Sequence, residues 1–225
     1  MSDDLLVELR RTLNDFTVPE KAPQMAAYMK DRFAFLGVNA TARRAAQRQF
    51  VNESASWSSA TLFAVADACW AEPEREFQYV ACDLLVRRVG SIAASDIGRV
   101  EALIRSKSWW DTVDALAANV VGPMVAADSQ LTDVMDRWIE EDDIWIARTA
   151  ILHQLKYKER TDRDRLFAYV DRRAGDREFF LRKASGWALR EYAKTEPGAV
   201  RGYVSSRGDR LSGLTRREAL KHIGP

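Results

Sequence analysis

The chain has 225 residues, 47% apolar and 30% charged, which fits a folded, water-soluble protein with a sizeable core and excludes a disordered one. No apolar run approaches the roughly 18 residues of a membrane span, and the opening Met1-Ser2-Asp3-Asp4 is acidic where a secretory leader would be basic. Cys69 and Cys82 sit in apolar helical patterns and read as reduced core residues. With only His153 and His222 besides, no metal-ligand spacing can be assembled. The expectation is a cytoplasmic protein without metal or cofactor.

Taken in chain order, nearly everything predicts helix. Leu5, Leu9, Leu13 and Phe16 form a first apolar stripe. Met25, Tyr28, Met29, Phe33 and Leu36 form a second, stopped by Gly37. Thr41 predicts the N-cap of a helix running through Phe50 and Val51. Further helices are expected at 59–70, 74–89, 95–106, 109–119, 130–140, 143–158, 162–173, 177–194 and 214–223. Turns are expected at Pro73, Gly90, Gly122-Pro123, Gly175 and Pro197. Strand alternation is nowhere sustained and no linker interrupts, so residues 1–225 are expected to form one all-α domain.

The net charge of +1 conceals an asymmetry. Residues 1–142 carry 15 Lys+Arg against 22 Asp+Glu, and residues 143–225 carry 19 against 11. A basic half is compatible with a polyanion partner and equally with a solvated mixed-charge surface.

An internal repeat is visible. Phe77, Trp110, Trp145 and Phe180 are spaced by 33, 35 and 35 residues, each early in a predicted helix. Four positions after each stand Ala81, Asp114, Thr149 and Ala184, and Ala219 continues the phase. An aromatic followed by a small residue every ~35 positions in paired helices predicts a HEAT-like solenoid. Asp114 then breaks the pattern, because a carboxylate at a packing position is costly to bury without a partner. Trp187 and Arg148 also depart from their equivalents (Leu84, Ala117 and Leu152 for the first; Val80, Val113 and Lys183 for the second). Local rules broken at matching phases mark a candidate site.

If Trp110, Asp114, Arg148 and Trp187 line one concavity, with Arg190 beside Trp187, the parts are aromatic faces, one anion and flanking guanidiniums. Guanidiniums fork onto phosphates, aromatic faces pack on sugars or attract cations, and a carboxylate stabilises a developing sugar cation or orients a water. Those parts suit a sugar-centred cleavage on DNA or RNA. The absence of a Ser–His or Cys–His pair and of a Walker-type loop leaves acyl transfer and nucleotide hydrolysis unsupported.

At these residues the sequence resembles the AlkD-like DNA glycosylases, the HEAT-repeat branch of DNA alkylation repair proteins. The carriers are Lys107-Ser108-Trp109-Trp110-Asp111-Thr112-Val113-Asp114 and Gly186-Trp187-Ala188-Leu189-Arg190-Glu191-Tyr192-Ala193-Lys194. Supporting stretches are Met25–Lys30, Phe35-Leu36-Gly37, Pro73–Gln78 and Ile151–Lys158. The resemblance implies a right-handed superhelical solenoid of antiparallel helix pairs with a concave DNA-binding groove. It implies hydrolysis of the N-glycosidic bond of cationic N3- and N7-alkylated purines in duplex DNA, without flipping the base into a pocket, leaving an abasic site. Carried over residue by residue, the catalytic set falls on Asp114, Trp110 and Trp187, and DNA contacts fall on Tyr28, Arg148 and Arg190. The family's Gly-x-x-Thr-Pro-x-Arg-Arg turn here reads Gly37-Val38-Asn39-Ala40-Thr41-Ala42-Arg43-Arg44. That departure leaves the turn's contacts open, although Arg43 can still reach a phosphate.

Lys156 and Lys158 belong to the basic half and are candidate phosphate contacts or members of a solvated face. A cationic base is already a good leaving group, so no general-acid His is required. No Schiff-base Lys stands in the motif, which predicts a monofunctional glycosylase. The expected partner is double-stranded DNA carrying alkylated purines. The expected protein is a nucleoid-associated monomer, with no membrane. The alternative readings are a non-catalytic HEAT-repeat protein that binds or scaffolds DNA, and a protein–protein scaffold.

Overall fold

The structure is a computed structural model that describes residues 2–224. It is all-α: among the described residues the sole extended pairing is an isolated parallel bridge between Ala34 and Glu74. The chain divides into two compact units, Met1–Arg99 and Val100–Pro225.

In the first unit, α1 (Ser2–Asn14) packs on α3 (Ala40–Ala46) and α5 (Ser59–Ala71), and α5 packs on α6 (Arg75–Arg87). Their shared core holds Leu9, Leu13, Leu62, Phe63, Phe77 and Leu84. Cys69 and Cys82 are buried, and burial pushes the Cys69 thiol up to about 12. The second stripe is not one helix. The short α2 (Ala22–Tyr28) stops because Lys30 and Asp31 both take left-handed φ, 59° and 54°, which sends Phe33 and Leu36 into the following segment. Phe16 likewise falls beyond α1 and is exposed. The N-cap of α3 is Asn39 rather than Thr41: its extended backbone lets its side chain accept from Thr41 N and Ala42 N, both at 3.0 Å. That helix also breaks at Gln47, so Phe50 and Val51 belong to a separate α4 (Arg48–Glu53).

The second unit begins inside α7 (Ile97–Arg105) and continues through α8 (Trp110–Leu116). The expected turn at Gly122-Pro123 is helical instead. A π turn over Ala117–Val121 joins α8 to α9 (Gly122–Ala127), with Gly122 N–H donating to Ala117 O. The wider π turn brings Pro123 in at the start of α9, where its missing N–H costs little. A Cβ at residue 122 would lie 2.3 Å from His153 O, so only glycine admits this close approach.

Then follow α10 (Thr132–Trp138), α11 (Ile144–Leu152), α12 (Arg163–Arg172), α13 (Phe179–Tyr192), α14 (Pro197–Arg207) and α15 (Gly213–Leu220). The helix expected over 143–158 ends at Leu152, because Gln154 turns its amide onto the backbone of Asp162 and closes a turn. The turn expected at Pro197 opens α14, with proline in the first helical turn where it is tolerated.

Polar links in this unit repeatedly join residues about one repeat apart. Tyr157 Oη donates to Gly122 O (2.6 Å), Tyr169 Oη to Asp136 (2.5 Å), and Tyr203 Oη and Arg207 to Asp171. Each helix pair thus bonds to its sequence neighbour, as expected of quasi-one-dimensional stacking.

Candidate functional site

The site grows from the start of α8. Ser108 Oγ donates to Ile104 O (2.6 Å) and Trp109 takes extended backbone angles, so α8 begins at Trp110. The buried Trp109 ring joins an aromatic cluster with the half-buried Trp145 at 5.5 Å and Phe180 at 5.0 Å, those two lying 4.9 Å apart. These three rings come from three successive repeats and hold the starts of α8, α11 and α13 in register. Trp110, by contrast, is only half-buried. The two adjacent tryptophans therefore divide the labour between core and surface.

Asp114 lies one turn after Trp110 on the same helix face. Its two oxygens accept a forked pair of hydrogen bonds from Arg148 on α11, Nε to Oδ1 at 2.7 Å and Nη2 to Oδ2 at 2.8 Å. The Arg148 side chain is 4% exposed and that of Asp114 15%. The remaining Arg148 nitrogen, Nη1, donates to the carbonyl of Phe180 in the first turn of α13. One guanidinium thus ties three helices together and fixes the carboxylate's direction.

Burial pushes the Asp114 carboxyl above the usual Asp value. The hydrogen bonds and charge of Arg148 pull against that rise, and Asp111, three residues earlier, adds to it. A carboxylate has about four lone-pair directions, of which Arg148 occupies two. The others belong to a group that still reaches solvent.

Trp187 is half-buried on α13, seven residues after Phe180. It follows Gly186, where a Cβ would come within 2.5 Å of Glu218 Cβ, so α13 and α15 approach there as only glycine allows. Arg190 ion-pairs with Glu218, which also receives Lys183 Nζ at 2.5 Å. These contacts, with the Lys183 hydrogen bond foremost, hold Glu218 below the usual Glu value. Lys156 is exposed and donates to Asn119 Oδ1. Lys158 is exposed with a left-handed φ of 54°, at the rim of a cavity of about 220 Å³ between α11, α12 and α13. That cavity is lined by Ile151, Leu155 and Ala188 among others and does not include Trp110, Asp114 or Trp187.

In the first unit, Tyr28 is 69% exposed beside a hollow formed with Met25, Met29, Phe35 and Tyr79. Arg43 is buried: Nη2 donates to Asp83 (3.1 Å) and the guanidinium lies 4.8 Å from the Tyr79 ring centre. The 36–38 turn is held by Glu76, whose buried carboxylate accepts from Leu36 N (3.1 Å), Gly37 N (3.0 Å) and Val38 N (3.0 Å). Gly37 has φ +86°, and a Cβ there would strike Val18 O at 2.1 Å.

Of the expected site residues, hydrogen bonding joins Asp114 to Arg148, and Trp110 shares the helix of Asp114. Arg148, Arg190 and Arg43 have acidic protein partners. Three contributors escape a reading by residue type: the Phe180 carbonyl, Glu218 and Asn119. A signal existed for the ion pairs. Asp114 and Arg148 stand 34 residues apart and Lys183 and Glu218 stand 35 apart, opposite charges one repeat period from each other.

The family model described as DNA alkylation repair enzyme matches residues 9–223. Among solved structures, the chain is similar to "Predicted DNA alkylation repair enzyme from Enterococcus faecalis", at 35% identity and a TM-score of 0.86, covering 92% of this chain and 96% of that one. Among curated proteins, none matches the sequence.

Proposed function

The chain belongs to the DNA alkylation repair enzyme family, and from that premise we propose that it is a monofunctional DNA glycosylase acting on cationic N3- and N7-alkylated purines in duplex DNA. The observation that carries this reading is the Asp114 carboxylate, forked onto a buried Arg148 yet still open to solvent beside Trp110. As the C1′–N bond breaks, its electron pair leaves with the base, which departs neutral, and the positive charge moves onto the sugar. The carboxylate's remaining lone pairs face that charge in partly desolvated surroundings, where the attraction is stronger than in water. Water then adds at C1′ and gives up a proton, leaving an abasic site. Trp110 and Trp187 supply apolar faces for the sugar, so the base need not enter a pocket. Arg148 acts as a positioning residue: it keeps Asp114 ionised and aimed.

The exposed Lys156 and Lys158 are proposed phosphate contacts, with Tyr28 and Arg190 completing the proposed DNA-contacting set, whereas Arg43 and Arg148, expected there too, are buried and engaged with Asp83 and Asp114 instead. The repeat of 33 and 35 residues crosses the border at residue 100, which supports reading 1–225 as one HEAT-like domain. Among the described residues no helix is long and apolar enough to cross a membrane. A monomer associated with the nucleoid is the working expectation.

The test is release of 7-methylguanine from methylated duplex DNA, measured for the wild type and for Asp114→Asn. Release by the wild type and its loss in the variant, with duplex binding kept, supports the proposal. Salt-dependent duplex binding with no base release from any alkylated substrate would instead identify a non-catalytic DNA-binding HEAT protein.

A further inference from the structure

Phe179 is the first residue of α13 and is 57% exposed. An isolated exposed aromatic needs no explanation in itself, but the placement of this one is specific. Its ring packs edge-on against Phe180 at 5.4 Å between centres, and Phe180 is locked between Trp109 and Trp145. The exposed ring therefore stands on a rigid base. The Phe180 carbonyl accepts from Arg148 Nη1 while the other face of that guanidinium holds Asp114. One guanidinium and one residue step separate Phe179 from the carboxylate, which places its Cα within roughly 14 Å of the Asp114 carboxylate oxygens. Successive nucleotides of one strand rise about 3.4 Å along the duplex axis, so this reach spans about four of them at most.

We propose that Phe179 is a further DNA-contacting residue, whose ring packs on the deoxyribose of a nucleotide within about four steps of the damaged one. The inference rests on the glycosylase reading of the same site. An apolar contact of this kind fixes the strand's register at Asp114 and adds affinity without adding charge. It is thus separable from the lysine contacts. Losing an aromatic contact weakens binding with the salt slope unchanged, whereas losing a phosphate contact lowers the slope by about one.

The experiment measures equilibrium binding to a duplex carrying a non-cleavable lesion analogue, between low and physiological salt, for wild type, Phe179→Ala, Phe179→Tyr and Lys158→Ala. Thermal unfolding of each protein is followed alongside. Flanking nucleotides are then replaced one at a time by a sugarless propanediol spacer. Phe179→Ala is expected to bind on the order of 10-fold more weakly, with its unfolding temperature and salt slope unchanged, while Phe179→Tyr binds like wild type. At one spacer position the wild type loses affinity and Phe179→Ala loses nothing more. Equal affinity of Phe179→Ala and wild type, or a loss that adds fully to the spacer loss at every position, would overturn the contact and leave the glycosylase reading standing. A wild type that binds no duplex overturns both. The substitution Phe179→Leu guards against a packing effect, since it keeps an apolar cover over Phe180 while removing the flat face.

Discussion

Each unit of the molecule buries one conspicuous carboxylate, and the two are held in opposite ways. Glu76 in the first unit is fully buried and receives three successive backbone N–H groups. Asp114 in the second receives two donors from a single side chain and stays partly open. Burial raises both carboxyls above their usual values, with donors pulling against it in each case. The difference lies in what remains. Glu76 faces the backbone of a turn and fixes Gly37 in its left-handed conformation, so its charge is consumed by structure. Asp114 has lone pairs to spare and a partner that aims it, as the proposed mechanism requires.

The sharpest way to break this contrast is to neutralise each group. Asp114→Asn is expected to lower base release per folded molecule by at least about 100-fold, the scale for removing one preorganised electrostatic partner, and also to cost some stability because the buried Arg148 loses its charge partner. Single-turnover release of 7-methylguanine measures it. Glu76→Gln should affect stability alone: lost charge-assisted bonds to a buried turn cost about 3 kcal/mol of stability, read by denaturant unfolding, while release per folded molecule is kept.

A buried group inside the second unit tests whether burial alone distinguishes the two roles. His153 is buried against Tyr157 and Tyr169, and burial pushes its pKa down to about 4, even though its Nδ1 lies 2.7 Å from Ala150 O. The folded protein keeps it neutral while the unfolded chain takes up a proton near pH 6.5. Stability is therefore full above about 6.5 and falls as the pH drops toward about 4, by about 3 kcal/mol in all. Unfolding at a series of pH values should lose most of this slope in His153→Gln.

Asp114 titrates with the opposite sign for folding. Its raised value means that ionisation disfavours the folded state, so this small contribution to stability is present below the usual Asp value and lost as the pH rises through the folded one. Under the proposed mechanism activity runs the other way: the ionised form is the active one, so release is expected to fall as the pH drops through that raised value. Arg148→Met removes the pull that lowers it and leaves the burial. The acid limb of the pH–rate profile should then move to higher pH.

The smallest expected effect is at Glu218, which holds Lys183 and Arg190. Glu218→Gln releases two cations and should tighten duplex binding a few-fold at low salt, fading as salt rises.

Much of the architecture was legible in the chain. The ~35-residue recurrence of an aromatic followed by a small residue located the packing faces: Ala81, Thr149, Ala184 and Ala219 are all buried. Helix ends were legible less well. Gly122-Pro123 reads locally as a stop, but a π turn and the close approach of His153 O carry the helix through it. Thr41 is a good capping residue by type, but the extended backbone that a cap needs falls two residues earlier, at Asn39.

The sequence by itself determined the helical class, the repeat phase and the oddity of Asp114, because these depend on periodicity and on the cost of burying a charge. Only the tertiary structure decided which partner meets that charge. The bonds from Arg148 to Asp114 and to Phe180 O span 34 and 32 residues, and such contacts are set by how helices stack. The same stacking decided that Trp109 packs on Trp145 and Phe180 while Trp110, the one that the repeat phase singled out, remains half-buried.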